Sequence, residues 1–388
     1  MIRRSAVAML VALSCGVPGI HAEKALAPVE ARVPFAPEGF TGTDGAVHLA
    51  YELHITNFYG DTGALKPKGL QVFGDDAKTP LLVLDKNQLS QFVRPSPAEH
   101  TPVSIAPGKR AVVFVWITLP AGAALPHTLR HHIEFDTEKK TVTTLDGATV
   151  KVDSQKPMTL GPPLRGGRWL AHEGPGNAHS HHWGSLVAVN GDLTIPQRYA
   201  LDLVGVDDAG HAMRPGIKDM QKTTYADWIG YGAEVIAVAD GVVRDTRDGE
   251  QEHKPLSPQP EPPSLTADGL FGNYVVLELQ PGVFATYAHL KKGSVKVRPG
   301  DRVHRGQSLG QLGQSGNSAA PHLHFQLSTA VTFEGSEGLP YVFESFDYLG
   351  PESEAQLFGQ GEVWKESAVE HRKLQMPLND VVVRFANP

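Results

Sequence analysis

The chain has 388 residues, with 35 Lys and Arg against 42 Asp and Glu, 18 His and a single Cys. A net charge of -7 lacks the basic footprint of a nucleic-acid binder, so no nucleic-acid partner is expected. One cysteine, Cys15, excludes an intramolecular disulfide and a Cys-based zinc site, which leaves histidine and carboxylate as the available metal ligands.

Residues 1–22 read as a secretory signal peptide. Arg3 and Arg4 form the charged start, Ala6 to Leu13 a short apolar run, and Ile20-His21-Ala22 a small-residue cleavage site. The apolar run falls well below the roughly 20 residues of a membrane span, so no span is expected. Export to a periplasm or cell surface follows, with a lipoprotein anchored through Cys15 as the alternative. Cleavage after Ala22 would leave the mature chain without cysteine.

From 23 to 160 the text is strand and turn. Ala50 to Ile55 and Ala111 to Ile117 are such runs, and breakers such as Pro107-Gly108 lie between them. An immunoglobulin-like β-sandwich is expected there. Its histidines, His48, His54, His100, His127, His131 and His132, are scattered and read as surface or locally satisfied groups.

Gly161-Pro162-Pro163-Leu164-Arg165-Gly166-Gly167 marks the domain boundary. The second domain, 161–350, is again β-rich, with strands at Val235–Val243, Tyr274–Leu279 and Phe284–His289. The stretch from Gln251 to Asp268 holds five prolines and reads as an extended surface loop. Residues 351–388 form a tail expected to pack on this domain, with Val381 to Phe385 a candidate further strand. The fold class is therefore all-β throughout.

Two local patterns carry chemistry. In Pro321-His322-Leu323-His324-Phe325-Gln326-Leu327, alternation puts His322, His324 and Gln326 on one strand face and the apolar residues on the other. Two imidazoles about 7 Å apart suit a metal ligand beside a general base, and His289 ends another strand. Asp202 sits inside the apolar run Leu201 to Val204, where an unpaired carboxylate is costly. It needs either an arginine or a metal.

Upstream lies His179-Ser180-His181-His182-Trp183, followed by Asn190-Gly191, the strongest short hairpin signal. A two-residue turn there pairs Val189 with Asp192. Extended back along both strands, it sets His179 opposite Asp202, His181 one diagonal step away and His182 on the other side. A three-residue turn would reverse that parity.

The series Tyr231 to Val243, Tyr287-Ala288-His289-Leu290, Val297 to Val303, Gly306 to Gly310 and Gly313-Gln314-Ser315-Gly316-Asn317 running into Pro321 to Phe325 resembles the lysostaphin/LytM-type zinc endopeptidases. The resemblance covers roughly 180 to 330. It implies a LytM-type antiparallel β catalytic domain that hydrolyses the peptide stems of bacterial peptidoglycan. By position, Asp202 and His324 would ligate Zn2+. His322 and His289 would be the catalytic pair that works on the attacking water and the tetrahedral intermediate.

One position departs from the pattern. The family's first ligand is a His four residues before the Asp, and here Arg198 stands in that place. A guanidinium stays protonated and cannot ligate zinc. The hairpin arithmetic nominates His181 as the replacement, with His179 and His182 as alternatives. The expected function is therefore an exported zinc endopeptidase of the cell wall. The alternative is a degenerate LytM-like module that binds the wall or activates a partner cell-wall hydrolase. A lipoyl-like carrier domain is a third reading, without an obvious carrier lysine.

Overall fold

The computed structural model describes residues 25–98, 101–258 and 266–386. The signal segment with Cys15, His100, and 259–265 of the proline-rich loop lie outside the described residues. Among the described residues no helix is long and apolar enough to cross a membrane.

Among the described residues the first half forms two five-stranded sheets. One is built around the paired strands Val47–Asn57 and Lys109–Leu119, the other around Thr128–Thr137 with Val142–Lys151 and Gly69–Gly74. Leu49, Leu53, Val113 and Val115 of the first sheet share a core with Val72, Leu129, Ile133 and Phe135 of the second. Alternation explains this inner face. It does not explain the outer one, because Ala50, Glu52 and His54 are buried as well. Ala50, Val112 and Phe114 join the core of the second half, so the 47–57 strand is enclosed on both sides.

The described residues of the second half are organised on a twelve-stranded sheet. Arg168–His172, Leu201–Val206, Leu323–Ser328 and Val283–Ala288 lie side by side at its centre, all antiparallel. The segment expected as a tail enters this sheet: Val381–Arg384 runs between Arg168–His172 and Tyr341–Pro351. The strand Met158–Leu160, before the glycine-rich junction, pairs with Tyr341–Pro351 and so already belongs to this sheet.

The Asn190-Gly191 hairpin forms in the expected register, Val189 opposite Asp192, with both residues at positive φ. It is short, however, pairing only Val187–Val189 with Asp192–Thr194. Residues 177–184 are turns, and Asp202 takes other partners. The extended pairing of His179 with Asp202 does not occur, because the chain leaves strand geometry on both sides of the short hairpin, with Pro196 following the second arm.

Candidate metal centre

Asp202 lies directly opposite His172 on one neighbouring strand and His324 on the other. Directly paired residues share a face, and alternation adds His322 and Gln326 to it. Leu201, Leu203, Leu323, Phe325 and Leu327 fill the core beneath. The apolar strands therefore fix a polar row on the opposite face. His289 follows the last residue of the next strand, in a left-handed backbone conformation with φ 59°.

The Asp202 carboxylate is ringed by imidazoles. His324 Nδ1 lies 3.0 Å from Oδ1, His322 Nε2 3.3 Å, and His182 Nε2 3.4 Å; His181 Nε2 is 3.8 Å from Oδ2. Its buried carboxylate meets no arginine or lysine among these neighbours. Burial would raise its pKa, but the His322 and His182 rings hold it well below the usual carboxylate range.

Carbonyl oxygens set the orientation of the rings. His182 Nδ1 lies 3.0 Å from the Glu173 carbonyl, His289 Nδ1 2.8 Å from that of Ser315, and His322 Nδ1 2.8 Å from that of Ala320. His324 is held the other way, with Nε2 2.9 Å from Gln326 Oε1. At His182, His289 and His322 that contact favours the proton on Nδ1 and leaves Nε2 with a lone pair; His324 has an acceptor at each nitrogen, Gln326 Oε1 at Nε2 and Asp202 Oδ1 at Nδ1. Burial pushes the His182 imidazole down to about 4, and burial with the neighbouring His322 and His324 pushes His289 well below its ordinary value. Both are neutral near pH 7.

The Ser315 carbonyl is placed by a close crossing. A Cβ on Gly316 would lie 2.4 Å from the Gly272 nitrogen, so the 313–317 turn requires glycine there. Ser315 Oγ accepts from the Asn273 amide and donates to the Leu290 carbonyl.

His181, His182 and Asp202 offer ligand atoms within 4.8 Å of one another. His182 Nε2 is buried and, among the described residues, makes no hydrogen bond, with Asp202 Oδ1 3.4 Å away, a costly state for a polar atom unless something occupies the space it faces. His181 is different: its side chain is 63% exposed and its Nδ1 lies 3.4 Å from Glu173. His179 is exposed. The hairpin arithmetic had turned His182 away from Asp202; the turn at 177–184 instead brings it inward. Two histidines and a carboxylate in neutral or anionic form match the donor set of zinc.

Cavities open on both sides. One of about 550 Å³ is lined by His172, Glu173, Met220, Trp228, Leu256 and Phe358 among others. The other, about 360 Å³, is lined by His289, His324, Gln197, Phe271 and Phe333. Leu256, from the base of the proline-rich loop, lines the first cavity. His172, in the row but absent from the sequence expectations, bonds Asp380 at 2.8 Å.

Arg198 turns away from this centre. It is buried, donates through Nε and Nη2 to the two oxygens of Glu52, and through Nη1 meets Glu337 at 2.6 Å.

The peptidase family M23 profile matches residues 227–334. That segment is a peptidase family M23 domain. It contains His289, His322 and His324; Asp202 and the 179–183 cluster precede it. Glycyl-glycine endopeptidase ALE-1 of Staphylococcus capitis is 51% identical over 59 residues, 15% of this chain and 16% of that protein. Peptidoglycan DD-endopeptidase ShyA of Vibrio cholerae is 41% identical over 56 residues, 14% of this chain and 13% of that protein. The chain thus spans under a fifth of the length of these curated relatives. The catalytic domain of lysostaphin from Staphylococcus simulans aligns at 20% identity and a TM-score of 0.24, covering 44% of this chain and 86% of that one.

Proposed function

We propose that this protein is an exported zinc endopeptidase that hydrolyses peptide cross-links of bacterial peptidoglycan. The observation that carries the reading is the buried, unpartnered Nε2 of His182 aimed at Asp202 beside His324, all within reach of an M23 domain. His182, Asp202 and His324 would hold the metal, His182 taking the role left open by Arg198. His181, on the exposed rim, is the competing third ligand. The peptidoglycan endopeptidases ALE-1 and ShyA support the substrate class, and the signal-like residues 1–22 support export.

A bound Zn2+ would supply Lewis acidity, making water a ready nucleophile near neutral pH. The protein's own groups manage protons and orientation. His322, with Nδ1–H fixed on Ala320, presents Nε2 to the centre as a proton acceptor. The proton that His322 takes from the attacking water would pass from its Nε2 to the departing amine, while His289, with Nδ1–H fixed on Ser315, stays neutral beside it and avoids a second positive charge at the centre. The cavities on either side would seat the peptide on both sides of the scissile bond.

The test is metal content of the mature protein, with digestion of purified peptidoglycan. About one zinc per chain and new amine ends that vanish with a chelator are expected. His182→Ala should lose the zinc, whereas His322→Ala should keep it and lose turnover. A protein that stays metal-free at micromolar zinc would overturn the enzyme reading. Zinc kept in His182→Ala but lost in His181→Ala would return the ligand role to His181. Bound zinc without chelator-sensitive amine ends would leave a wall-binding module.

A further inference from the structure

The turn that carries His182 is held locally by Glu173, whose carbonyl faces His182 Nδ1 and Ser180 Oγ, and its remaining anchors come from the other half of the chain. Trp183, the next residue, is fully buried and packs edge-on against Phe114 and at a tilt against Trp116, both on the first sheet of the N-terminal half. Its indole Nε1 donates to Glu52 Oε1 at 2.8 Å. Arg94 Nη2 donates to the Ala178 carbonyl at 2.9 Å, pinning the start of the same turn. Glu52 is itself held rigid, since both its oxygens accept from the Arg198 guanidinium. A bidentate carboxylate–guanidinium pair fixes direction as well as distance.

We infer that Glu52 of the N-terminal sandwich is a positioning residue of the metal centre: held by Arg198, it anchors Trp183 and thereby sets where His182 Nε2 points. Arg198, in the place of the family's first ligand, serves that centre from outside it. The inference rests on the zinc reading. The N-terminal half therefore completes the site: a segment beginning after residue 160 keeps the Glu173 carbonyl that faces His182 Nδ1 but lacks the Glu52 anchor of Trp183.

The experiment measures zinc affinity by competition with a chromogenic chelator, and the visible spectrum of the Co2+-substituted protein, in the full mature chain. Trp183→Phe keeps an aromatic ring against Phe114 and Trp116 but removes the N–H that Glu52 accepts. Zinc Kd should rise about tenfold, the lower end of the effect of removing an orienting partner, and the Co2+ bands should shift. Glu52→Gln should move both readouts in the same direction, and serves if Trp183→Phe fails to fold. Tyr199→Phe is the control. It removes another buried bond between the halves, Tyr199 Oη to the Ala50 carbonyl at 3.2 Å, without touching the 177–184 turn. It should leave zinc Kd within about twofold. Equal zinc affinity in wild type, Trp183→Phe and Glu52→Gln overturns this inference alone. Equal losses in all three variants also overturn it, since loosening the interface would then suffice. A wild-type protein without zinc affinity overturns the metallopeptidase reading and this inference with it.

Discussion

Asp202 and His324 face each other in register across neighbouring strands, with His324 Nδ1 3.0 Å from Asp202 Oδ1. Four imidazole nitrogens approach this carboxylate within 4 Å. Asp202→Asn removes the charge while keeping the shape, and it lowers the cost of burial. Zinc affinity should fall by more than about 100-fold, beyond the effect of losing an outer partner. The far-ultraviolet dichroism should stay unchanged. Isothermal titration with zinc checks both the loss and the stoichiometry.

Gln326 sits two residues beyond His324 on the same strand face, and its Oε1 lies 2.9 Å from His324 Nε2. That bond favours the proton on Nε2, which leaves the Nδ1 lone pair beside Asp202 Oδ1 to face a cation. Gln326→Ala should weaken zinc binding by about 10- to 100-fold, and Gln326→Glu, which keeps the acceptor, should largely restore it. Chelator competition on the three proteins separates the outcomes.

Arg198 is the single counter-charge shared by two buried carboxylates, Glu52 and Glu337. Burial raises Glu337 to about 7 even with the guanidinium beside it. Arg198→Ala leaves both acids without their counter-charge and should cost about 3 kcal/mol, measured by urea unfolding of the metal-free protein. Arg198→His should restore no ligand and give no gain in zinc affinity, because this side chain points toward Glu52 and away from Asp202.

His131 lies in the N-terminal core, where it accepts from Tyr51 Oη at 2.8 Å and donates through Nδ1 to the Ala148 carbonyl at 2.9 Å. Burial lowers its pKa to about 4 from 6.5. The unfolded chain takes up this proton first, so the stability the neutral ring provides is complete above about pH 6.5 and is lost as pH falls through 4. The loss is up to about 3 kcal/mol. Replacing the pair, Tyr51→Phe with His131→Leu, should flatten the dependence of unfolding free energy on pH across that window.

Much of the centre was legible because strand alternation is a local rule. It placed His322, His324 and Gln326 on one face, and the apolar run around Asp202 marked that carboxylate as needing an unusual partner. The same rule failed for His182, since it was extended past the end of a three-residue hairpin arm into turns. The role of Glu52 was hidden for another reason. Its alternation partners His48 and His54 look like an exposed polar face, and only the docking of Trp183 and Arg198 buries it. His172 was missed because its partner, Asp380, lies 208 residues away on a segment with weak pattern. Val381–Arg384, the one readable strand in that segment, holds it there.

The 47–57 strand gives one side to each of two apolar cores, with Leu53 in the first and Ala50 in the second. The exposed stretch Ser154 to Lys156 is the natural place for a protease to nick the backbone between them. Such a cut would release neither half. The fragments would travel together through gel filtration and part only in denaturant, as a non-covalent heterodimer sharing one strand's two faces.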